Sequence, residues 1–296
     1  MGSPRIAIIL VNWNGFDHSL KCLESLLKVN YGSFKIILID NGSKEKEGKK
    51  LEELFPEIHL IENARNLGFT GGNNLGIKLA LKEGFDQILL LNNDTVVEPN
   101  FLSKLSRFSL EHPEYGAVQP IIYSMENRRK VWSAGGKWNN LFSRAITLNT
   151  SKNSYPEKID WVTGCAILVR TDVIKKVGLL DDSFFAYFED VDWSLRMKKA
   201  GYSLGLCSGS IVYHEAGASS KDNSKEGTLS PRVFYLHCRN QFILIRKHSS
   251  WFNYFPSIGY HGFRFLLWII YFLLRGRPLK ANSVLNGSFA GFFVNK

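Results

Sequence analysis

Three carboxylates within four positions, Glu189, Asp190 and Asp192, follow directly on the aromatic run Phe184–Phe188. A carboxylate beside an aromatic wall can take the proton from a hydroxyl group as a general base. Acids at the start of a helix are also favoured by its dipole, so the cluster has both a chemical and a structural reading. A fourth acid, Asp94, ends the triplet Asn92-Asn93-Asp94 behind the apolar run Gln87–Leu91. An acid at the mouth of a buried strand can hold a hard divalent cation, which would neutralise a diphosphate. It can equally cap the turn before Pro99. His214 closes the run Leu204–Tyr213. It becomes a metal ligand only where it meets Asp94, because imidazole, carboxylate and phosphate oxygens together suit Mg2+ or Mn2+.

Such residues need elements that carry them to one edge. The first half of the chain alternates apolar runs with helical spacing: strands over Arg5–Val11, Phe34–Ile39, Ile58–Ile61, Gln87–Leu91 and Gly116–Ile122, and helices over Phe16–Val29, Lys46–Phe55, Asn74–Gly84 and Pro99–Glu111. Strands apolar on both faces and separated by helices predict an α/β fold with a mostly parallel central sheet flanked by helices. In such sheets ligands bind beyond the carboxyl ends of the strands. There the sequence places Asn12-Trp13-Asn14-Gly15, Asp40-Asn41-Gly42-Ser43 and Asn92-Asn93-Asp94-Thr95. Each is ordinary turn chemistry alone; together they make a nucleotide crevice. The stretch Gly68-Phe69-Thr70-Gly71-Gly72-Asn73-Asn74 is either a backbone cradle for a ligand at a helix start or a plain tight turn. The turn after the first strand carries neither G-x-G-x-x-G nor a Walker A loop. Further on, Trp161–Arg170 and Leu204–Tyr213 read as strands and Glu189–Ala200 as a helix. Residues 217–231 read as a flexible loop or lid.

The 296 residues are 45% apolar and 22% charged, which excludes a disordered chain and a small disulfide scaffold. The four cysteines form no C-x-x-C pair, so they predict small core residues in a reducing compartment. The net charge of +10 is unevenly spread. Residues 1–230 hold 28 basic and 27 acidic residues, whereas the chain from Pro231 onward has nine Lys or Arg and no acid. This divides the chain into a catalytic region, 1–230 (nucleotide-binding half 1–122, acceptor half 123–230), and a basic, aromatic helical region, 231–296. The latter holds 16 of the 39 aromatic residues, and its longest apolar run, Phe265–Leu274, has ten residues. As a helix that is about 15 Å, against a hydrocarbon core of about 30 Å. The segment is therefore expected to lie in a membrane interface over residues 251–280 rather than to cross it. A helix buried against the domain is the competing reading. The basic aromatic surface comes with no nucleic-acid-binding signature. With no signal-peptide pattern at the start, the chain is expected in the cytoplasm, peripheral at the inner face of the cell membrane.

The ordered motifs IAIILVNWNG, ILIDNGS, NARNLGFTGGNN, LLLNNDT, VTGCAILVR, FFAYFEDVDWSLRMKKAGY and VYHEAGAS resemble glycosyltransferase family 2, in particular its rhamnosyltransferase-like members. The resemblance covers about residues 5–250 and implies a GT-A fold. It implies inverting transfer from a dTDP- or UDP-linked sugar to a glycan acceptor, here polyprenyl-linked, in surface polysaccharide synthesis. On that basis Val11, Asn12 and Trp13 line the base and ribose, and Asp40 accepts a hydrogen bond from a pyrimidine N–H. Asn66, Gly68, Gly72 and Asn73 pack around the nucleotide. Asn92, Asn93 and Asp94 replace the family's acidic triplet, with two amides where acids are usual, so Asp94 and His214 carry the metal. Asp190 matches the catalytic base, and Trp161, Gly164, Glu189 and Asp192 stand on the acceptor side.

Two other functions compete. A sugar nucleotidyltransferase needs a basic, glycine-rich loop after the first strand, which NWNGF lacks. A non-catalytic sugar-nucleotide or glycan binder with the same fold is the stronger alternative, and the joint presence of Asp94, Asp190 and His214 argues against it.

Overall fold

A computed structural model of the chain describes residues 3–149, 155–215, 217 and 226–293. Most of the predicted loop 217–231 therefore lies outside the described residues. The chain forms two compact units, each assembled from separate segments. The first comprises Met1–Lys137, Thr147–Ser183 and Glu189–Ala216; the second comprises Trp138–Ile146, Phe184–Phe188 and Gly217–Lys296.

The first unit is built on the apolar runs. β1 (Ile6–Asn12), β2 (Phe34–Asp40), β3 (His59–Glu62) and β4 (Gln87–Leu91) run parallel, joined by α1 (Phe16–Leu26), α2 (Glu47–Leu54) and α3 (Gly68–Lys82). Ile6, Ile8 and Leu10 face one apolar cluster and Ala7 and Ile9 the other, so β1 is buried on both sides, as a central parallel strand must be. Next come β5 (Thr95–Val97), α4 (Phe101–Glu111), β6 (Tyr115–Ser124), β7 (Val131–Ser133), β10 (Ala166–Arg170), α5 (Thr171–Val177), α6 (Glu189–Lys199) and β11 (Ser203–His214). The sheet order is β3-β2-β1-β4-β10-β6-β11-β5, with β7 paired to β6. β10 is antiparallel to both β4 and β6, while β11 is parallel to β6. β8 (Gly136–Asn139) and β9 (Arg144–Thr147) pair as a separate ribbon.

Two boundaries differ from the sequence reading. The glycine-rich stretch is helix, not loop: α3 begins at Gly68 rather than Asn74. The reason is packing, since a Cβ on Gly72 would stand 2.9 Å from Val11 Cγ1 and one on Gly76 would stand 2.6 Å from Ile9 Cγ2. The glycines bring the helix close to β1. The strand predicted over Trp161–Arg170 begins only at Ala166; Trp161 makes an isolated bridge to Gly136.

The second unit contains α7 (Pro231–His248), α8 (Trp251–Leu274) and α9 (Pro278–Phe293). Gly287 and Gly291 of α9 lie so close to the α7 backbone at Tyr235 and Arg239 that no larger residue fits. Pro256 sits inside α8, which continues through His261 and Arg264 to Leu274. The helix that carries the ten-residue apolar run is thus 24 residues, long and apolar enough to cross a membrane by length and composition alone. It is not the buried helix of the competing reading: Trp251, Phe252, Phe255, Phe263, Leu266, Leu273 and Leu274 are all more than half exposed. Within the same unit, Tyr187 and Phe188 have φ of 72° and 71°, a left-handed conformation costly for non-glycine residues. Asn240 Nδ2 holds them in place by donating to the carbonyls of Ala186 (2.8 Å) and Tyr187 (2.9 Å), and the His237 ring stacks on Tyr187 at 4.5 Å.

Candidate active site

All of the residues expected to act on the donor and the acceptor hydroxyl fall in the first unit. β1 ends at Asn12, in register with Asp40 at the end of β2. The Asn12 amide is fully buried and fully used. Its Oδ1 accepts from Ser19 Oγ (2.7 Å) and Asn93 Nδ2 (3.4 Å), and its Nδ2 donates to Ser43 Oγ (3.1 Å) and Glu47 Oε2 (2.9 Å). An amide has four such positions, so Asn12 is a strut between three strand ends rather than the base contact expected of its side chain. Asp40 also holds local backbone, but with one N–H on each oxygen its carboxylate keeps lone pairs that the Asn12 amide does not. Its Oδ1 accepts from the Ser43 N–H (3.0 Å) and its Oδ2 from the Gly48 N–H (2.8 Å). It is 3% exposed and caps the first turn of α2. Trp13 is different: 41% of it is exposed, leaving its ring free to stack on a planar ligand.

The 63–68 loop is tied to the end of β2 by Asn41, a residue the sequence reading passed over. Its Nδ2 donates to Asn66 Oδ1 and the Gly68 carbonyl, both at 3.0 Å, and its Oδ1 accepts from Asn63 Nδ2 (3.0 Å) and the Leu67 N–H (3.1 Å). Gly42, at φ +80°, is required here, since a Cβ would stand 2.7 Å from the Arg65 carbonyl carbon. In α3, Asn73 Nδ2 donates to the Phe69 carbonyl (2.9 Å), and Gly72 is covered by Val11.

The turn after β4 carries the Asn-Asn-Asp triplet. Asn93 Nδ2 joins the strut network through Ser19 Oγ (2.8 Å), and the Asn92 carbonyl accepts from Thr95 Oγ1 (2.6 Å). Asp94 and His214, both buried, come together: Oδ1 lies 3.1 Å from Nε2. The contact is at ion-pair distance but poorly aligned as a hydrogen bond, and neither atom has another partner. Burial alone would push the Asp94 carboxyl up, but His214 outweighs it and holds the group below its usual range. Burial alone would push the His214 imidazole down; Cys165 and Asp94 together carry it up to about 10. Trp132, for which the sequence offered no role, stands edge-on to the His214 ring at 4.4 Å. His18 adds an ion pair to Glu215 at 3.3 Å.

The three acids of α6 separate by environment. Asp192 has no exposed surface and pairs with Arg196 Nε at 2.8 Å, and Arg196 in turn donates to the carbonyls of Val177 and Leu179. It is a structural anchor, which corrects its expected place at the acceptor. Glu189 is buried with Oε2 unpartnered; burial and then the charge of Asp190 push its carboxyl well above the usual range. Asp190 is half-buried, with Oδ2 accepting from the Gly164 N–H at 2.8 Å. Burial raises its carboxyl and the Gly164 and Val191 N–H groups pull it back, leaving it above its ordinary value. Trp161 is also corrected: the indole is buried over Gly136 and donates to the Lys137 carbonyl (3.2 Å), so it braces the wall rather than meeting an acceptor.

The short turn before β10 links the two chemical centres. Gly164 donates its N–H to Asp190, the Cys165 carbonyl accepts from the Asn92 N–H (2.9 Å), and the Cys165 thiol lies against His214. One partly buried carboxylate and one carboxylate–imidazole pair with unmet bonding capacity are thereby held by consecutive residues. Such a set can remove a proton at one point and receive a cation at the other.

The sequence model of the family described as Glycosyltransferase like family 2 matches residues 4–228. The chain is similar to an N-acetylglucosaminyl-diphospho-decaprenol L-rhamnosyltransferase of Mycobacterium tuberculosis, at 23% identity over 84% of this chain and 86% of that one. It is also similar to the dTDP-rhamnosyl transferase RfbF of Shigella flexneri, at 23% identity over 83% and 81%. Among solved structures it resembles a mannosyltransferase from Pyrobaculum calidifontis in complex with GDP-Man and Mn2+, with a TM-score of 0.61 and 10% identity over 99% of this chain and 88% of that one. The last likeness bears out the expected architecture of a mostly parallel sheet flanked by helices.

Proposed function

The chain belongs to the Glycosyltransferase like family 2 and is a glycosyltransferase of polysaccharide synthesis using a nucleotide sugar; from that premise we propose that it transfers the sugar with inversion from a dTDP- or UDP-linked donor, dTDP-rhamnose first, to a hydroxyl of a polyprenyl-linked saccharide. The observation that carries the reaction is the isolation of Asp190. Of the three α6 acids it alone keeps some exposed surface, and the Gly164 N–H fixes its orientation. Asp190 takes the proton from the acceptor hydroxyl as that oxygen bonds to the anomeric carbon. The bond from that carbon to the diphosphate oxygen breaks on the opposite face, and the nucleoside diphosphate leaves. The donor preference is supported by the names of the two relatives, one of which is a dTDP-rhamnosyl transferase and the other an L-rhamnosyltransferase of a diphospho-decaprenol acceptor.

Asp94 and His214 fit a divalent ion such as Mg2+ or Mn2+, on the ground that their facing atoms are buried and lack other partners. Two protein ligands leave the remaining positions to diphosphate oxygens and water; among the described residues no cluster of three or more His, Cys, Asp or Glu offers more. When bound, the ion would offset charge building on the leaving diphosphate. The exposed aromatic face of α8, in a region rich in Arg, supports contact with the inner surface of the cell membrane over residues 251–280.

Calorimetry of dTDP and UDP binding, with and without Mn2+, tests the donor site. Metal-dependent binding of one nucleotide, lost in Asp94→Ala, is the expected result. Asp190→Asn should keep that binding and lose transfer. Absence of binding to either nucleotide under any metal overturns the reading.

A further inference from the structure

The second unit has a charge imbalance that its own contacts leave unresolved. Its one described carboxylate, Glu226, is already engaged: it accepts from the N–H groups of Leu279 (2.9 Å) and Lys280 (3.0 Å) at the start of α9, and its carbonyl accepts from Lys280 Nζ. Most of the unit's cations also have partners. Arg246 donates to the last carbonyls of α9, Arg239 to Asn240, and Arg232 and Lys247 lie over Phe185 and Phe184.

Among the described cations of this unit, Arg264 stands out for a buried nitrogen. Its Nε is buried without a hydrogen-bond partner, and it has no ion pair among the described residues. The rings of Phe265 and Trp268 lie against its guanidinium, at 4.9 and 5.2 Å. One turn back on α8, Tyr260 accepts from Arg144 Nη1 at 2.8 Å and stacks on Phe142 at 4.7 Å. Arg144 is exposed and close enough for its charge to act on Arg264. Two histidines complete the group. His261 donates Nε2–H to the Phe142 carbonyl at 2.9 Å, leaving a buried Nδ1 without a partner. Burial, then the Arg264 charge, pushes both His261 and His237 down to about 4. Two guanidiniums, two imidazoles forced neutral and a phenol therefore converge with no acid among the described residues to balance them. A partly buried, unpaired guanidinium is unfavourable in the free protein. Its planar fork of donors matches a phosphate. The flanking residues on α8, Phe263, Leu266 and Leu267, are apolar and 48–64% exposed, which suits a phosphate attached to hydrocarbon.

We propose that Arg264, Arg144 and Tyr260 form a docking site for the phosphate or diphosphate group of a lipid. The proposal rests on the polyprenyl-linked acceptor argued above and assigns the place where that acceptor's charged group is held.

The test uses the full chain without nucleotide, so that failure here is separate from failure of the donor site. Flotation with neutral phosphatidylcholine vesicles is compared with vesicles doped, at matched surface charge, with a polyprenyl diphosphate or with phosphatidylglycerol. Wild type should bind the polyprenyl diphosphate vesicles about tenfold more tightly than the phosphatidylglycerol vesicles, the scale of one charge-assisted pair. Arg264→Gln should erase that preference, Arg264→Lys should restore part of it, and Arg275→Gln should leave it intact. Free inorganic diphosphate should compete the preference away. Equal binding to both anionic surfaces, a preference that survives Arg264→Gln, or no competition by diphosphate overturns the proposal. Melting supplies the folding control. Because Arg264 is unpaired and repelled, Arg264→Gln should melt at or above the wild-type temperature; a lower melting temperature means a structural role and also overturns it.

Discussion

Glu189 and Asp190 are adjacent carboxyls pushed up mainly by burial, and the charge of Asp190 adds to the shift of Glu189. For Asp190 the consequence is kinetic. The base works only when ionised, so kcat/KM should fall as pH drops through a value above the ordinary aspartate range of about 4. A pH–rate profile checks this, and an acid limb at or below that range would remove Asp190 from the role. For Glu189 the consequence is stability. An acid whose folded-state pKa is raised contributes fully only below its unfolded pKa and loses that contribution as pH rises toward the folded value. Glu189→Gln carries no such loss. Its stability should match wild type in acid and exceed it by up to about 1.4 kcal/mol per pH unit above the unfolded glutamate pKa, as read from denaturation at several pH values. At this scale the sequence revealed residue types but not the direction of side chains. Asp94, His214 and Asp190 could be found because ionisable residue types at the ends of apolar runs stand out, although capping and the helix dipole also favour acids there. Asn12, Asp192 and Trp161 were equally conspicuous, yet their partners (Ser19, Glu47, Arg196 and Gly136) lie elsewhere in the chain or look ordinary.

The strands of the sheet could be read from their apolar runs because burial on both faces leaves little choice of residue. β5 and β7 could not, since three residues carry no period. α3 was misjudged at its start because glycine signals a turn in isolation and close packing in context. That context makes a prediction. A methyl group at Gly76 must displace Ile9 in the core, costing about 1–3 kcal/mol against a helix-propensity gain of about 1 kcal/mol. Gly76→Ala should therefore melt below wild type, and an unchanged melting temperature would show that α3 does not press on β1. On α8, Phe255 and Phe263 are 72% and 64% exposed. Replacing both with Ser should weaken vesicle binding by about 1.5–3 kcal/mol for each buried ring and leave nucleotide calorimetry unchanged.

The whole chain was expected to divide near residue 230, whereas the second unit also draws in 138–146 and 184–188. No composition shift marks those two segments, and only tertiary contacts identify them. Gln241 Nε2 donates to the Ser143 carbonyl at 2.9 Å, and Asn240 holds the Ala186 and Tyr187 carbonyls. Ending the chain at residue 230 should thus do more than remove a tail. It strips the partners from the left-handed Tyr187–Phe188 pair that leads into Asp190, so the shortened protein should lose transfer and become protease-sensitive between residues 184 and 188. Retention of full activity by that truncation would contradict the arrangement.

The separation of charge from apolar surface in the second unit also divides arrival from residence. Coulombic attraction between its arginines and an anionic bilayer reaches about 8 Å at physiological ionic strength, so it governs how often the protein is captured. The rings of α8 act only after contact, and burying them in hydrocarbon is indifferent to screening by ions. Raising the salt concentration should therefore slow the search for the membrane more than it shortens the dwell time on a bilayer that lacks a lipid diphosphate.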